Sequence, residues 1–140
     1  MTESKLTAGL IHQEKFTVES RHTVPQIDIG WPGFSDMPPV LATAMMIGFM
    51  EQTCIQALRP YLSEKEHTLG IEVAVSHVSP TLPGSVVTST VELVAVDGRV
   101  LHFLVSCFDE KGLIGKGKHT RAIITLERFM KRLLENQHSD

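Results

Sequence analysis

Cysteine is scarce: the 140 residues contain two, Cys54 and Cys107, each inside an apolar run, with no Cys-x-x-Cys spacing and no adjacent histidine. That pattern argues against a disulfide framework and against a thiolate metal centre, and it makes both thiols small buried hydrophobes. Excess positive charge is lacking too. Thirteen Lys and Arg face sixteen Asp and Glu for a net charge of -3, so no broad basic surface is expected for nucleic acid. The first dozen residues carry Glu3, Lys5 and polar groups through Gln13, with no continuous apolar segment of signal-peptide type, so the expected location is the cytosol. Internal repeats and low-complexity tracts are missing as well. The chain is long enough for one core and too short for two, and its 42% hydrophobic and 21% charged shares are those of a folding globular chain.

Between Met37 and Leu58 the only charged residue is Glu51, which raises the question of a membrane span. The stretch opens on Pro38-Pro39 and carries Thr43, Gln52, Thr53 and Gln56 as well as the acid, so a helix buried in protein accounts for it better, and no membrane partner is expected.

The alternation over residues 15–24 predicts a strand, and residues 25–39 predict a loop in which Trp31 and Phe34, large apolar groups among glycines and prolines, fold over something as a lid. A helix is predicted over 39–58, with Pro39 in its first turn and Pro60 just past its end. From Leu69 the period becomes two. Leu69, Ile71, Val73, Val75 and His77 are expected on one face, and Gly70, Glu72, Ala74 and Ser76 on the other. Further strands are predicted over 85–96, 99–108 and 113–126, the first two joined by a turn at Asp97-Gly98. In the last strand Lys116 and Lys118 share one face, which puts Gly115, Gly117, His119, Arg121 and Ile123 on the other. A short amphipathic helix over 127–135 completes the order, with a polar segment over 1–14, the working domain over 15–130 and a helix end and tail over 131–140. A strand, a long apolar helix and then several antiparallel strands make an α+β pattern, one sheet wrapped around one central helix, as in a hotdog fold. Edge strands left open by such a sheet predict pairing with a second copy.

Glu51 is the most informative residue. An ionised carboxylate in an apolar helix is costly unless paired, so it is either a salt-bridged acid at an exposed edge or a general base or nucleophile tuned by its surroundings. His77 is expected to point inward at the end of its strand, where it and Glu51 on the facing helix would form an acid–base pair. Thr43 lies eight residues before Glu51, about 12 Å along a helix, and from spacing alone reads first as a back-bonded helical threonine. Arg121 reads equally as a structural ion-pair partner, and Gly70 as a place where a ligand approaches or crowding is relieved.

With Pro39-Val40-Leu41-Ala42-Thr43 running into Gly48-Phe49-Met50-Glu51, and then Tyr61-Leu62, Leu69-Gly70, Val75-Ser76-His77, Pro83-Gly84 and His119-Thr120-Arg121-Ala122 in order, the chain resembles the fluoroacetyl-CoA thioesterase family of hotdog proteins over roughly residues 16–129. The resemblance implies hydrolysis of a small acyl-CoA thioester with water as second substrate, and a homodimer with the thioester held near its interface. It implies no metal and no cofactor beyond the CoA of the substrate. Its site set would be Thr43, Glu51 and His77 as catalytic residues, with Gly70 and Arg121 at the substrate site. Fluoroacetyl-selective members carry an aromatic gate in the loop before the helix. The matching position here is Met37, while Phe34 is kept, so a broader acyl preference is implied. Dimers pairing into tetramers are left open. The residues also admit a hotdog hydratase or dehydratase acting on an enoyl thioester, a non-catalytic acyl-CoA or small-ligand binding module, and a purely structural dimer.

Overall fold

In the computed structural model, residues 5–27 and 29–137 are described; the ends of both predicted terminal segments, residues 1–4 and 138–140, lie outside them, as does Asp28 in the loop. Five strands among the described residues form one antiparallel sheet: β1 (Ile11–Thr17), β2 (Glu66–His77), β3 (Val86–Asp97), β4 (Val100–Asp109) and β5 (Gly112–Thr125), in the order β1-β3-β4-β5-β2. The long helix α1 (Thr43–Leu58) lies against this sheet and α2 (Leu126–Gln137) follows β5.

The face of α1 that meets the sheet carries Met46, Met50, Thr53, Cys54, Ala57 and Leu58, all buried at helical spacing. They pack with Val87, Val91, Leu93, Leu101, Phe103, Val105, Cys107 and Ile114, and each large apolar side chain so buried contributes about 1.5–3 kcal/mol. Thr53 is the polar exception, its hydroxyl 2.7 Å from the Phe49 carbonyl and 2.9 Å from the Ser89 hydroxyl. On β5, a Cβ at Gly115 would come within 2.5 Å of the Met46 sulfur, so glycine there lets the helix sit down on the sheet. Both cysteines are free and buried, and burial pushes their thiols up to about 12 for Cys54 and about 11 for Cys107. No helix among the described residues is long and apolar enough to cross a membrane.

Four local expectations need correction. The helix begins at Thr43 rather than Pro39, because consecutive prolines hold the preceding residues extended. Residues 40–42 are instead laced to their neighbours by Val24 N–H to Val40 O, Leu41 N–H to Thr81 O and Ala42 N–H to His22 O. The first strand runs Ile11–Thr17, earlier than predicted, and single turns of tight helix at Ser20–His22 and Val24–Gln26 take its expected second half. The β3–β4 turn is Gly98-Arg99, with Gly98 at φ +62°, one residue later than expected. Finally, β2 is not evenly alternating. Gly70 pairs with Arg121 and Glu72 with Thr120, so Ile71 is an extra residue that exchanges the faces of the strand. Leu69 and Ile71 are exposed in consequence, whereas Gly70 faces the helix.

Candidate active site

Two clusters form where α1 borders β2 and β5. The first lies at the start of the helix. Thr43 opens the helix at its positive dipole end, where the Met45 and Met46 N–H groups already bond the Ala42 carbonyl. The Thr43 hydroxyl lies 2.8 Å from His77 Nδ1, at the far end of β2. His77 Nε2 is buried and is the one such side-chain nitrogen or oxygen among the described residues without a hydrogen-bond partner. Burial pulls the His77 imidazole below the ordinary value of 6.5, opposed in part by the Ser79 backbone, so the ring is neutral at pH 7.

The second cluster lies two helical turns on. Arg121, buried on the inner face of β5, donates from Nη1 to Glu51 Oε2 at 2.9 Å and from Nε and Nη2 to the Thr68 hydroxyl and carbonyl, both at 2.8 Å. The Glu51 side chain is 39% exposed, so it stands at the rim of the core with one oxygen held and the carboxylate reaching solvent. Gly70 makes room for it. A Cβ there would lie 2.6 Å from Glu51 Oε2, 3.0 Å from His119 Cε1 and 3.3 Å from Arg121 Nη1. Two clefts are lined in part by residues of α1 before and after Glu51. One of about 490 Å³ is lined by Met45, Gly48, Phe49 and Gln52 with Phe16 and His22, and one of about 480 Å³ by Ile55, Arg59 and Thr68.

The structure therefore joins Thr43 to His77, and Glu51 to Arg121 beside Gly70. It does not bring Glu51 and His77 of one chain into the acid–base pair expected of them, because α1 runs from one cluster to the other. Phe34 is half-buried and makes an edge-on ring contact with Trp31 at 5.6 Å, while Trp31 and Met37 are exposed, at 63% and 46%. The loop holding them encloses a cleft of its own of about 480 Å³ lined by Pro25, Ile27, Gly30, Trp31 and Phe34. Among the described residues no three His, Cys, Asp or Glu side chains are grouped to hold a metal ion. Two participants were not singled out from the sequence. Thr68 carries no chemical signal of its own. His119 was placed on the inner face by the Lys116/Lys118 alternation, and that position between Gly117 and Arg121 was the available clue.

Residues 18–127 match the family described as fluoroacetyl-CoA-specific thioesterase. A fluoroacetyl-CoA thioesterase from Streptantibioticus cattleyicolor is 43% identical over 114 residues, spanning 81% of this chain and 82% of that protein. A solved structure of the fluoroacetyl-CoA thioesterase FlK superposes with a TM-score of 0.90 at 37% identity, covering 98% of this chain and all of that one. A hot-dog-like protein from Thermanaerovibrio acidaminovorans, 21% identical, superposes with a TM-score of 0.81 over 95% of this chain and 94% of its own, and shares the fold. The sheet around one helix is thus a hotdog fold.

Proposed function

The chain belongs to the fluoroacetyl-CoA-specific thioesterase family, and from that premise we propose that it hydrolyses a small acyl-CoA thioester to the free acid and CoA, using Thr43, Glu51 and His77. The observation that carries the reading is the Glu51 carboxylate. It is held from one side by a buried arginine, faces a glycine that leaves it room, and is part-exposed at the rim of the core, where a thioester can reach it. Its free oxygen acts on the thioester carbonyl carbon, directly to give a mixed anhydride or through a water whose proton it takes. The carbonyl oxygen gains negative charge in either route, and the Thr43 hydroxyl, at the positive dipole end of α1, is a donor suited to it. His77 holds the Thr43 hydroxyl by donating Nδ1–H to its oxygen, which leaves the hydroxyl hydrogen for the carbonyl oxygen, and CoA departs as the thiolate.

The separation of the two clusters supports a site completed by a second copy. The free edge of β2 exposes Leu69, Ile71 and Val73, and α1 exposes Ala44, Gly48 and Gln52. Two copies joined antiparallel along β2, with Val73 of each opposite its own copy at the two-fold axis, would bring His77 of each close to Gly70 of the other. The Thr43–His77 pair of one copy then meets Glu51 of the partner subunit. No cofactor is required, and a cytosolic acyl-CoA is the natural substrate pool. Methionine at position 37 supports a preference broader than fluoroacetyl.

A thiol-release assay across short, branched, halogenated and aryl acyl-CoAs tests the proposal. Turnover of at least one small acyl-CoA, with stoichiometric CoA release, is expected. Ligand-induced stabilisation without turnover across the panel would make the chain a binding module, and hydration of enoyl-CoA without thiol release would make it a hydratase.

A further inference from the structure

His119 lies on the inner face of β5, 2% exposed, opposite Val73 on β2 and Phe103 on β4. Its Nδ1 is 2.7 Å from the Glu72 carbonyl, at the register shift in β2. A carbonyl oxygen has no hydrogen to give, so Nδ1 carries the ring proton. Nε2 is then a lone pair, and it faces Arg121 Nη1 at 3.1 Å, an N–H donor. Both ring nitrogens are satisfied in the neutral form alone. Protonation would set Nε2–H against Nη1–H and one cation against another. Burial holds the ring below the ordinary histidine value, with the Glu72 carbonyl opposing, Arg121 reinforcing and Glu51 opposing. Cys54 on α1 stays a neutral thiol.

The geometry of Arg121 gives this neutral imidazole a consequence. Nη1 carries two hydrogens; one goes to Glu51 Oε2 and the other to His119. Nε and Nη2 are engaged by Thr68. Of the five guanidinium hydrogens the second on Nη2 is left over, and Arg121 meets Glu51 by a single prong, from Nη1 to Oε2. An arginine beside a carboxylate otherwise favours the two-pronged clasp, which occupies both oxygens. We propose that His119 is a positioning residue that, as the Nδ1–H tautomer, draws one Nη1 hydrogen of Arg121 to itself and so keeps the second oxygen of Glu51 free to react. The kinetic side of this rests on the thioesterase reading; the geometric side does not.

Two substitutions separate the ring's two bonds. His119→Gln can place its amide oxygen near the Nε2 position and keeps an acceptor for Arg121, while losing the bond to Glu72. His119→Asn keeps a donor for Glu72 and is too short to reach Arg121. Because a misplacement of about 1 Å in a reacting group costs up to about 10²-fold, His119→Asn should lower kcat about 10- to 100-fold with KM little changed, and His119→Gln should retain kcat within about 5-fold of the parent. The crystal structure of His119→Asn should show Arg121 clasping both oxygens of Glu51. Parental kcat in a folded His119→Asn protein, or equal losses in both variants with the single-pronged contact unchanged, would overturn the proposal. If the parent protein releases thiol from no acyl-CoA, the thioesterase reading fails. The His119→Asn structure then decides alone: a two-pronged clasp supports the positioning role and an unchanged contact refutes it.

Discussion

Gly70→Ala is the smallest change that should disable the Glu51 cluster. The added methyl carbon would lie 2.6 Å from Glu51 Oε2, where ordinary contact begins at 3.4 Å, so the carboxylate must retreat by 3.4 − 2.6, about 0.8 Å, or the strand must yield. His119 and Arg121, at 3.0 and 3.3 Å from the same point, bar two of the directions of relief. Arg121 is in turn tied to Thr68 through both a hydroxyl and a backbone carbonyl, so it cannot follow the carboxylate without losing those bonds. Overpacking of this kind typically costs about 1–3 kcal/mol of stability, which a domain of this size survives, while displacement of a reacting oxygen by close to 1 Å costs up to about 10²-fold in rate. The expected result is a folded protein with a modestly lowered Tm and kcat reduced about 10- to 100-fold, read by thiol release from the preferred acyl-CoA and by thermal melting of the same preparation. A folded Gly70→Ala protein with parental kcat would show that the position of Glu51 relative to Arg121 is irrelevant to turnover.

Three further outcomes follow from the same geometry. The protein should sediment as a dimer, and mixing Glu51→Gln with His77→Ala subunits should restore turnover to preparations that are each inactive alone, since one of the two sites in the mixed dimer is then intact; no recovery would place the whole site within one chain. Saturation with a non-hydrolysable acyl-CoA analogue should shift the emission or quenching of Trp31, the single tryptophan, and an unchanged signal would remove the lid from the account. His77 and His119 both have folded values lowered beneath 6.5, so the unfolded chain binds more protons just below that pH. Stability should therefore be fully present above pH 6.5 and fall as the pH drops toward the folded values; a Tm unchanged from pH 7 to pH 5 would contradict the buried neutral rings.

Much of this was legible in the residues because periodicity reports which face is buried. The lysines at 116 and 118 placed Gly115, His119 and Arg121 toward the helix, as found, and an acid alone in an apolar helix drew attention to Glu51 before any geometry was known. The faces of β2 were misread because a single inserted residue at Ile71 reverses the alternation with no compositional signal except the neighbouring Gly70. The helix start was misread because Pro39 fits a first turn as well as it fits the extended run it actually belongs to. The acid–base pair of Glu51 with His77 was inferred from elements that do face each other, yet a helix of sixteen residues has room for two separate clusters along one side. His119 was passed over because its role comes from its tautomer, and that depends on the Glu72 carbonyl, a backbone group whose position the pattern of side chains does not reveal.

Whether Glu51 performs the chemistry is decided by Glu51→Gln. Glutamine keeps the shape of the side chain and an acceptor for Arg121, but it cannot take a proton from water at neutral pH or form a mixed anhydride. With melting, analogue affinity and single-turnover hydrolysis measured on one preparation, the expected result is near-parental folding and binding with hydrolysis reduced about 10²- to 10⁴-fold. A folded, analogue-binding Glu51→Gln protein that hydrolyses acyl-CoA at the parental rate would make the Glu51–Arg121 pair a structural salt bridge and place the chemistry elsewhere.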